Sequence, residues 1–225
     1  MEILVRIPVT LDMQEVGRRL HMKRHGNWSE VLALADVAQP LIHARAVYRV
    51  CYIDEKLENA VRIEGICLKS HVLRKNLDRV ERVFPYIVTI GGELEARAAA
   101  GKDLLEQFIL DTMGNVALAG ARAYVMDHIR SRFALRGMSF MSPGSLKDWA
   151  IEEQTPLFSL LGDVKSAIGV RLTESLLMIP RKSVSGIFFP TEIPFISCQL
   201  CPRNACQSRK APYDEVVASE YGIDT

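Results

Sequence analysis

The sequence predicts an α+β fold in a single domain, 1–225, and three observations carry that expectation. Arg171 to Phe189 alternates polar and apolar residues, breaks at Pro180, and resumes as Ser183-Val184-Ser185-Gly186-Ile187-Phe188-Phe189. This is the period-two signal of half-buried strands around a proline-interrupted turn. Asp103 to Phe133 instead places Leu104, Phe108, Met113, Val116, Ala117, Ala121, Tyr124 and Ile129 at helical spacing, which predicts one long helix. Neither an internal repeat nor a low-complexity linker interrupts the chain.

The remaining elements follow in order. Residues 2–9 alternate loosely and predict an edge strand ending at Pro8. Asp12 to His25 carries Val16 and Leu20 on one face, an amphipathic helix closed by Gly26. Trp28-Ser29-Glu30 starts a second helix, whose apolar positions Val31, Leu32, Leu34, Ala35, Val37 and Ala38 are expected to make a buried face up to Pro40. Ala44–Ile53 and Ala60–Leu68 read as strands around the charged turn Asp54-Glu55-Lys56, and Leu73–Val80 as a helix. Val83–Ile90 is a strongly apolar strand stopped by Gly91-Gly92, followed by the Ala-rich helix Glu93–Gly101. Within the long helix, Gly114 and Gly120 each cost about 1 kcal/mol against alanine. With Ala117 and Ala121 they permit close approach of a neighbouring element. Arg136–Ser145 reads as a turn-rich loop around Pro143-Gly144. Ile151–Leu161 is a helix with Glu152 and Glu153 in its first turn, where negative charge suits the macrodipole. Gly162 ends it, Val164–Ile168 adds a short helical turn, and the tail after Cys206 is polar and irregular.

Composition excludes several functions. With 28 basic and 27 acidic residues the net charge is +1, so no electrostatic argument points to nucleic acid or to a membrane surface. There is no apolar run long enough for a transmembrane helix, and MEILVRIPV lacks the basic and apolar regions of a secretory signal; a cytoplasmic protein is expected. Walker, G-x-G-x-x-G and G-x-S-x-G motifs are absent. His21 and His25 share a helix face among Arg18, Arg19 and Lys23, which reads as a basic solvated face.

Five cysteines, an odd number, argue against a disulfide framework in such a chain. Cys51 and Cys67 lie in apolar text and read as small buried hydrophobes. Cys198, Cys201 and Cys206 form a C-x2-C-P-x3-C array. Thiolates so close together suit an iron–sulfur cluster or zinc. Either site usually takes four ligands, so Cys67 or Cys51 would complete it, or one position would stay open. A redox dithiol of Cys198 and Cys201, or plain surface thiols, are the alternatives. Arg203, Arg209 and Lys210 flank the array and favour negative charge there. Ser142-Pro143-Gly144-Ser145 is a type II turn signal whose Gly144 would also let a ligand approach the backbone. Glu174 reads as a solvated charge on a strand, and Arg181-Lys182 as a charged turn.

Gly169-Val170-Arg171-Leu172-Thr173-Glu174-Ser175, followed by Ser183-Val184-Ser185-Gly186, resembles the reactivation domain of cobalamin-dependent methionine synthase. There a T-E-S strand, a proline turn and an S-V-S-G strand recur in this order. Ser142-Pro143-Gly144, Trp149, Glu153, Leu157 and Leu160-Leu161 resemble the same domain's Pro-Gly loop and following helix. The likeness spans Met138 to Phe189. It divides the chain into an N-terminal helix and strand part (1–100), a core resembling the activation domain (101–190) and a Cys-bearing tail (191–225). The tail resembles free-standing versions that accompany corrinoid methyltransferases.

The resemblance implies an α+β fold with a curved antiparallel sheet flanked by helices. It also implies a groove that binds S-adenosylmethionine and offers it to cobalamin on a partner, restoring cob(I)alamin. Carried over by position, Ser142, Pro143, Gly144, Glu174 and Gly186 match the family text, and Ser183, Ser185 and Phe188 line the same groove. Cys198, Cys201 and Cys206 would hold the cluster or zinc. The family loop's arginine falls on Phe140 and its tyrosine on Ser145; Arg136 would stand in for the arginine if the loop folds back. The expected function is reductive activation of a corrinoid methyltransferase or methionine synthase system. Its partners would be a corrinoid protein or cobalamin-binding methionine synthase and an electron-donor protein. The alternative is a non-catalytic module that docks a corrinoid protein, its tail stiffened by zinc or thiols; a methyltransferase subunit using another methyl donor ranks third. The strands and the bend before them are expected to form an open shelf for the corrin ring.

Overall fold

The computed structural model describes residues 1–22, 28–203, 205–206 and 209–223. In chain order the elements are β1 (Glu2–Leu4), α1 (Met13–Arg19), α2 (Trp28–Ala38), β2 (Arg45–Tyr48), β3 (Cys51–Lys56), β4 (Ala60–Ile63), β5 (Ile66–Lys69) and α3 (His71–Asn76). They continue with β6 (Arg82–Thr89), α4 (Glu93–Ala99), α5 (Leu104–Arg132), β7 (Met138–Met141), α6 (Gln154–Leu161), α7 (Val164–Ile168), β8 (Arg171–Leu172), β9 (Met178–Ile179), β10 (Ser183–Pro190) and α8 (Glu215–Glu220). Among the described residues no helix is long and apolar enough to cross a membrane.

The sheet is antiparallel and strongly curled, as expected, and β6 is its spine. One edge of β6 pairs with β10, from Ser183↔Thr89 to Phe188↔Phe84. Its other edge serves β2 over Tyr86–Thr89 and then β3 at Arg82 and Val83. A strand paired on both edges and covered on both faces must be apolar throughout, which explains the text VFPYIVT. Phe84, Tyr86 and Val88 enter one hydrophobic cluster with Leu110, Met113, Ala117 and Val125 of α5. Val83 joins the cluster on the opposite face with Trp149, Leu157 and Phe189.

The long helix has the ends its sequence prescribes. Asp103 accepts from the Glu106 amide at 2.8 Å as the N-cap, while the Glu106 carboxylate takes the Lys102 amide and the Arg97 guanidinium. Of its expected small-residue contacts, Gly114 lies against the methylenes of Lys182, whereas Gly120 is exposed with only Val9 nearby.

Several expected boundaries move. Ala44–Ile53 splits into β2 and β3 at Arg49-Val50, and Asp54-Glu55-Lys56 lies within β3, because Ile53 and Lys56 pair with β4. Ala60–Leu68 becomes β4 and β5 around Glu64-Gly65, both with positive φ. The Arg136–Ser145 loop contains a strand, β7, recruited by the free edge of β10. Arg171–Ile179 is a small hairpin of its own, β8 against β9. Glu174 therefore sits at the hairpin turn and not in a strand. The tail carries α8, capped by Asp214. α1 ends at Arg19, and the closure expected at His25 and Gly26 lies outside the described residues.

Gly186 is the tightest position in β10. A Cβ there would run into the Met141 carbonyl oxygen, with Ser142 Oγ and Tyr86 Oη each 2.9 Å away. Gly186→Ala is expected to lower stability by about 1–3 kcal/mol through overpacking. Gly120→Ala, on an open helical position, is expected to raise it by about 0.5–1 kcal/mol. Urea unfolding of the two variants checks the contrast; equal midpoints would contradict it.

Candidate functional site

The Ser142–Ser145 segment folds as its residues dictate. Ser145 N–H donates to the Ser142 carbonyl at 3.1 Å, and Gly144 takes φ +76°, the left-handed third position of a type II turn. Gly144 N–H also donates to the Trp149 carbonyl at 2.7 Å. The turn is then tied down from behind by Asp148, whose carboxylate accepts from Ser70 Oγ and from the amides of His71 (3.1 Å) and Val72 (3.0 Å). Gly144 and Ser145 stay exposed, while Pro143 is buried.

The structure separates the expected site residues by strand parity. Gly186 and Phe188 face α5 together with Tyr86; Tyr86 and Phe188 stack at a centroid distance of 3.8 Å, and Phe140 meets Phe188 edge-on at 6.3 Å. Ser142 Oγ points to this same face, beside Gly186. Ser183 and Ser185 face the other way. Ser183 Oγ donates within 2.9 Å of Thr89 Oγ1 and 2.6 Å of the Pro180 carbonyl. Ser185 Oγ donates to Gln154 Oε1 at 3.2 Å, and Gln154 Nε2 donates to the Leu176 carbonyl at 3.0 Å, so that pair anchors the β8–β9 hairpin. Glu174 is exposed at the tip of that hairpin.

β10 is not the open shelf expected of it. Ser183, Ser185, Ile187, Phe188 and Phe189 are all buried, with α5 packed over one face and α6 over the other. What reaches solvent near the matched residues is the turn and the chain just after it, including Ile151 at 40% exposure.

Arg136 does not replace the loop arginine. With Met138–Met141 extended as β7, Arg136 is carried away from the turn into a cavity of about 1210 Å³ that it lines with Arg82, Pro190 and Ile193. None of the expected binding residues lines that cavity. The cation beside Phe140 is instead Arg122 of α5, its guanidinium carbon 4.0 Å from the ring centre. Burial raises the Tyr86 phenol pKa, and Arg122 and Ser142 oppose that rise. Neither Arg122 nor Tyr86 stood out in the sequence. A lone hydroxyl in an otherwise apolar buried strand, which needs a partner, was the signal for Tyr86; Arg122 had none.

In the tail, Cys198 lies in a 3-10 turn (Ser197–Leu200) that leads to Cys201. The Arg209 guanidinium donates to the carbonyls of Cys198 (3.3 Å), Ala211 (3.1 Å), Cys201 (3.2 Å) and Arg203. Lys210 N–H donates to Cys198 Sγ at 3.4 Å. The loop is thus wrapped around a guanidinium. Among the described residues no three His, Cys, Asp or Glu side chains gather where a metal ion would fit. Cys198, Cys201 and Cys206 are separate free thiols, as are Cys51 and Cys67, and an iron–sulfur cluster or zinc would need the three tail thiols drawn together.

The fold is an α+β arrangement of the kind seen in activation domains. The family model described as "Vitamin B12 dependent methionine synthase, activation domain" matches residues 144–195. A solved structure described as "Crystal Structure of the MetH Reactivation Domain bound to AdoHcy" is similar in fold, with a TM-score of 0.61 at 16% identity. That match covers 75% of this chain and 66% of the other, so the chain spans just under two-thirds of that structure's length. No curated protein matches. The resemblance read from Met138–Phe189 therefore stands on both comparisons, while the cysteine array lies beyond the matched residues.

Burial orders the thiols by reactivity. Cys206 is exposed, and Cys51 is enclosed, its pKa pushed up to about 11 by burial. Iodoacetamide at pH 8 is expected to modify Cys206 first and Cys51 only after unfolding. Peptide mass mapping checks this order, and early labelling of Cys51 in the folded protein would contradict it.

Proposed function

We propose that the chain is a reductive activator of a corrinoid methyltransferase or methionine synthase system. In this reading it binds S-adenosylmethionine beside the Ser142–Ser145 turn and acts on a cobalamin held by a partner protein, with electrons from a separate donor. The observation that carries it is the family match, which runs from Gly144 through the whole of β10. The similar fold of a domain described with AdoHcy bound supports the choice of ligand.

When bound, S-adenosylmethionine supplies a methyl group on a sulfonium. This chain's residues would position it. Gly144 is exposed and at positive φ, with the exposed Ile151 side chain against its α-carbon, so a ligand would meet the turn backbone and Ile151 together. Phe140 offers a half-buried ring, and the face behind it is closed to water by Phe188 and Tyr86. Because β10 itself is covered, the surface offered to a corrinoid partner is the exposed turn and the residues after it, including Lys147 and Ile151.

The docking-module reading retains one specific support: Phe140 and Ser145 stand where the family loop has arginine and tyrosine. Two measurements decide between them. Titration calorimetry of the full chain with S-adenosylmethionine is expected to show saturable binding. Adding the chain, S-adenosylmethionine and a reductant to a purified cob(II)alamin-loaded corrinoid protein is expected to remove the cob(II)alamin paramagnetic signal. Absence of heat in the first experiment, with a persistent paramagnetic signal in the second, would leave a docking module.

A further inference from the structure

Tyr86 Oη and Ser142 Oγ are buried without a well-formed hydrogen bond, and Arg122 and Ser142 are the polar groups that act on the phenol. Tyr86 is fully enclosed, and both oxygens crowd the same point above Gly186. A buried polar atom left unmet costs about 1–3 kcal/mol, and each such atom in a native fold demands an explanation. The cation beside them is also unmatched. No carboxylate among the described residues forms an ion pair with Arg122.

The wider surroundings are positive. Lys210 remains open to solvent, yet its ammonium pKa is lowered, first by the protein crowding it and then by repulsion from Arg122 and Arg19. Glu15, which also acts on Lys210, is held by Arg18 and Arg19 at 2.7 Å each. Arg122, braced on Phe140, and two buried hydroxyls therefore lie together around Gly186, and no carboxylate among the described residues pairs with the guanidinium. A guanidinium lying over an aromatic ring has its plane fixed, and its paired N–H groups match a planar carboxylate better than a spherical anion.

We propose that Arg122, presented by α5 and braced on Phe140, is the clamp for the carboxylate of the nucleoside amino acid bound at the Ser142–Ser145 turn. Phe140 at the loop position is then the surface that orients the arginine, and the clamp comes from a helix instead of from the loop. This rests on the reading that the face binds S-adenosylmethionine, and its test separates the two claims.

Calorimetry of the full chain compares wild type, Arg122→Gln and Arg122→Lys with S-adenosylmethionine and with 5′-methylthioadenosine, which keeps the nucleoside and lacks the amino acid. Arg122→Gln is expected to weaken S-adenosylmethionine binding about 100-fold and to leave methylthioadenosine binding unchanged; Arg122→Lys, which keeps the charge but not the fork, loses about 10-fold. Thermal melting verifies folding, and if the glutamine variant melts early the lysine variant decides by the same selective loss. Undiminished S-adenosylmethionine binding in the variants, or an equal loss for both ligands, overturns the clamp and leaves the proposed function standing. A wild-type chain that binds neither ligand overturns both.

Discussion

The ladder between β6 and β10 fixes where every other element can go. Six registered pairs, from Ser183↔Thr89 to Phe188↔Phe84, place two buried strands side by side, and a buried backbone must find all its hydrogen bonds within such ladders. β6 then has one edge left for β2 and β3, and β10 one edge left for β7. The Pro-Gly turn follows β7 directly, so its position beside Gly186 is a consequence of strand pairing and not of the turn's own chemistry. The Tyr86–Phe188 stack adds about 0.5–1.5 kcal/mol beyond area burial and holds the register across the same ladder.

Polar groups on the two faces of this ladder meet different fates. On the α6 side, Ser183 reaches Thr89 and Pro180, and Ser185 reaches Gln154. These bonds are internally closed and hold the hairpin and the cis-proline bend in place. On the α5 side, Tyr86 and Ser142 find no such closure. Arg45 Nε and Trp149 Nε1 are also buried without a partner, so unmet atoms are not confined to one face; Tyr86 and Ser142 are the pair that lies beside an aromatic ring and a guanidinium.

The thiol tail obeys the same accounting of hydrogen bonds. Its irregular backbone has few ladder partners, and the Arg209 guanidinium supplies donors to the carbonyls of Cys198, Cys201, Arg203 and Ala211. Leu200 is buried and Cys201 half-buried against the α6-side core. Nearby, Lys210 feels charges on α1 and α5. The tail thus links surfaces that belong to opposite faces of the sheet.

Much of the fold was legible in contiguous text. The apolar run of β6, the periodicity of α5 between Asp103 and Phe133, and the Gly144 turn are local properties, set by backbone sterics, caps and side-chain period, and the structure has each of them. Period two also implies that Ser183 and Ser185 face away from Gly186 and Phe188, so one groove does not take all four. What only the tertiary structure decided was which distant groups meet: Arg122 on Phe140, Tyr86 beside Ser142, Arg209 inside the cysteine loop, and Arg136 drawn off to another cavity. Those meetings depend on strand register and helix docking between segments far apart in the chain, and no local pattern of residues encodes them.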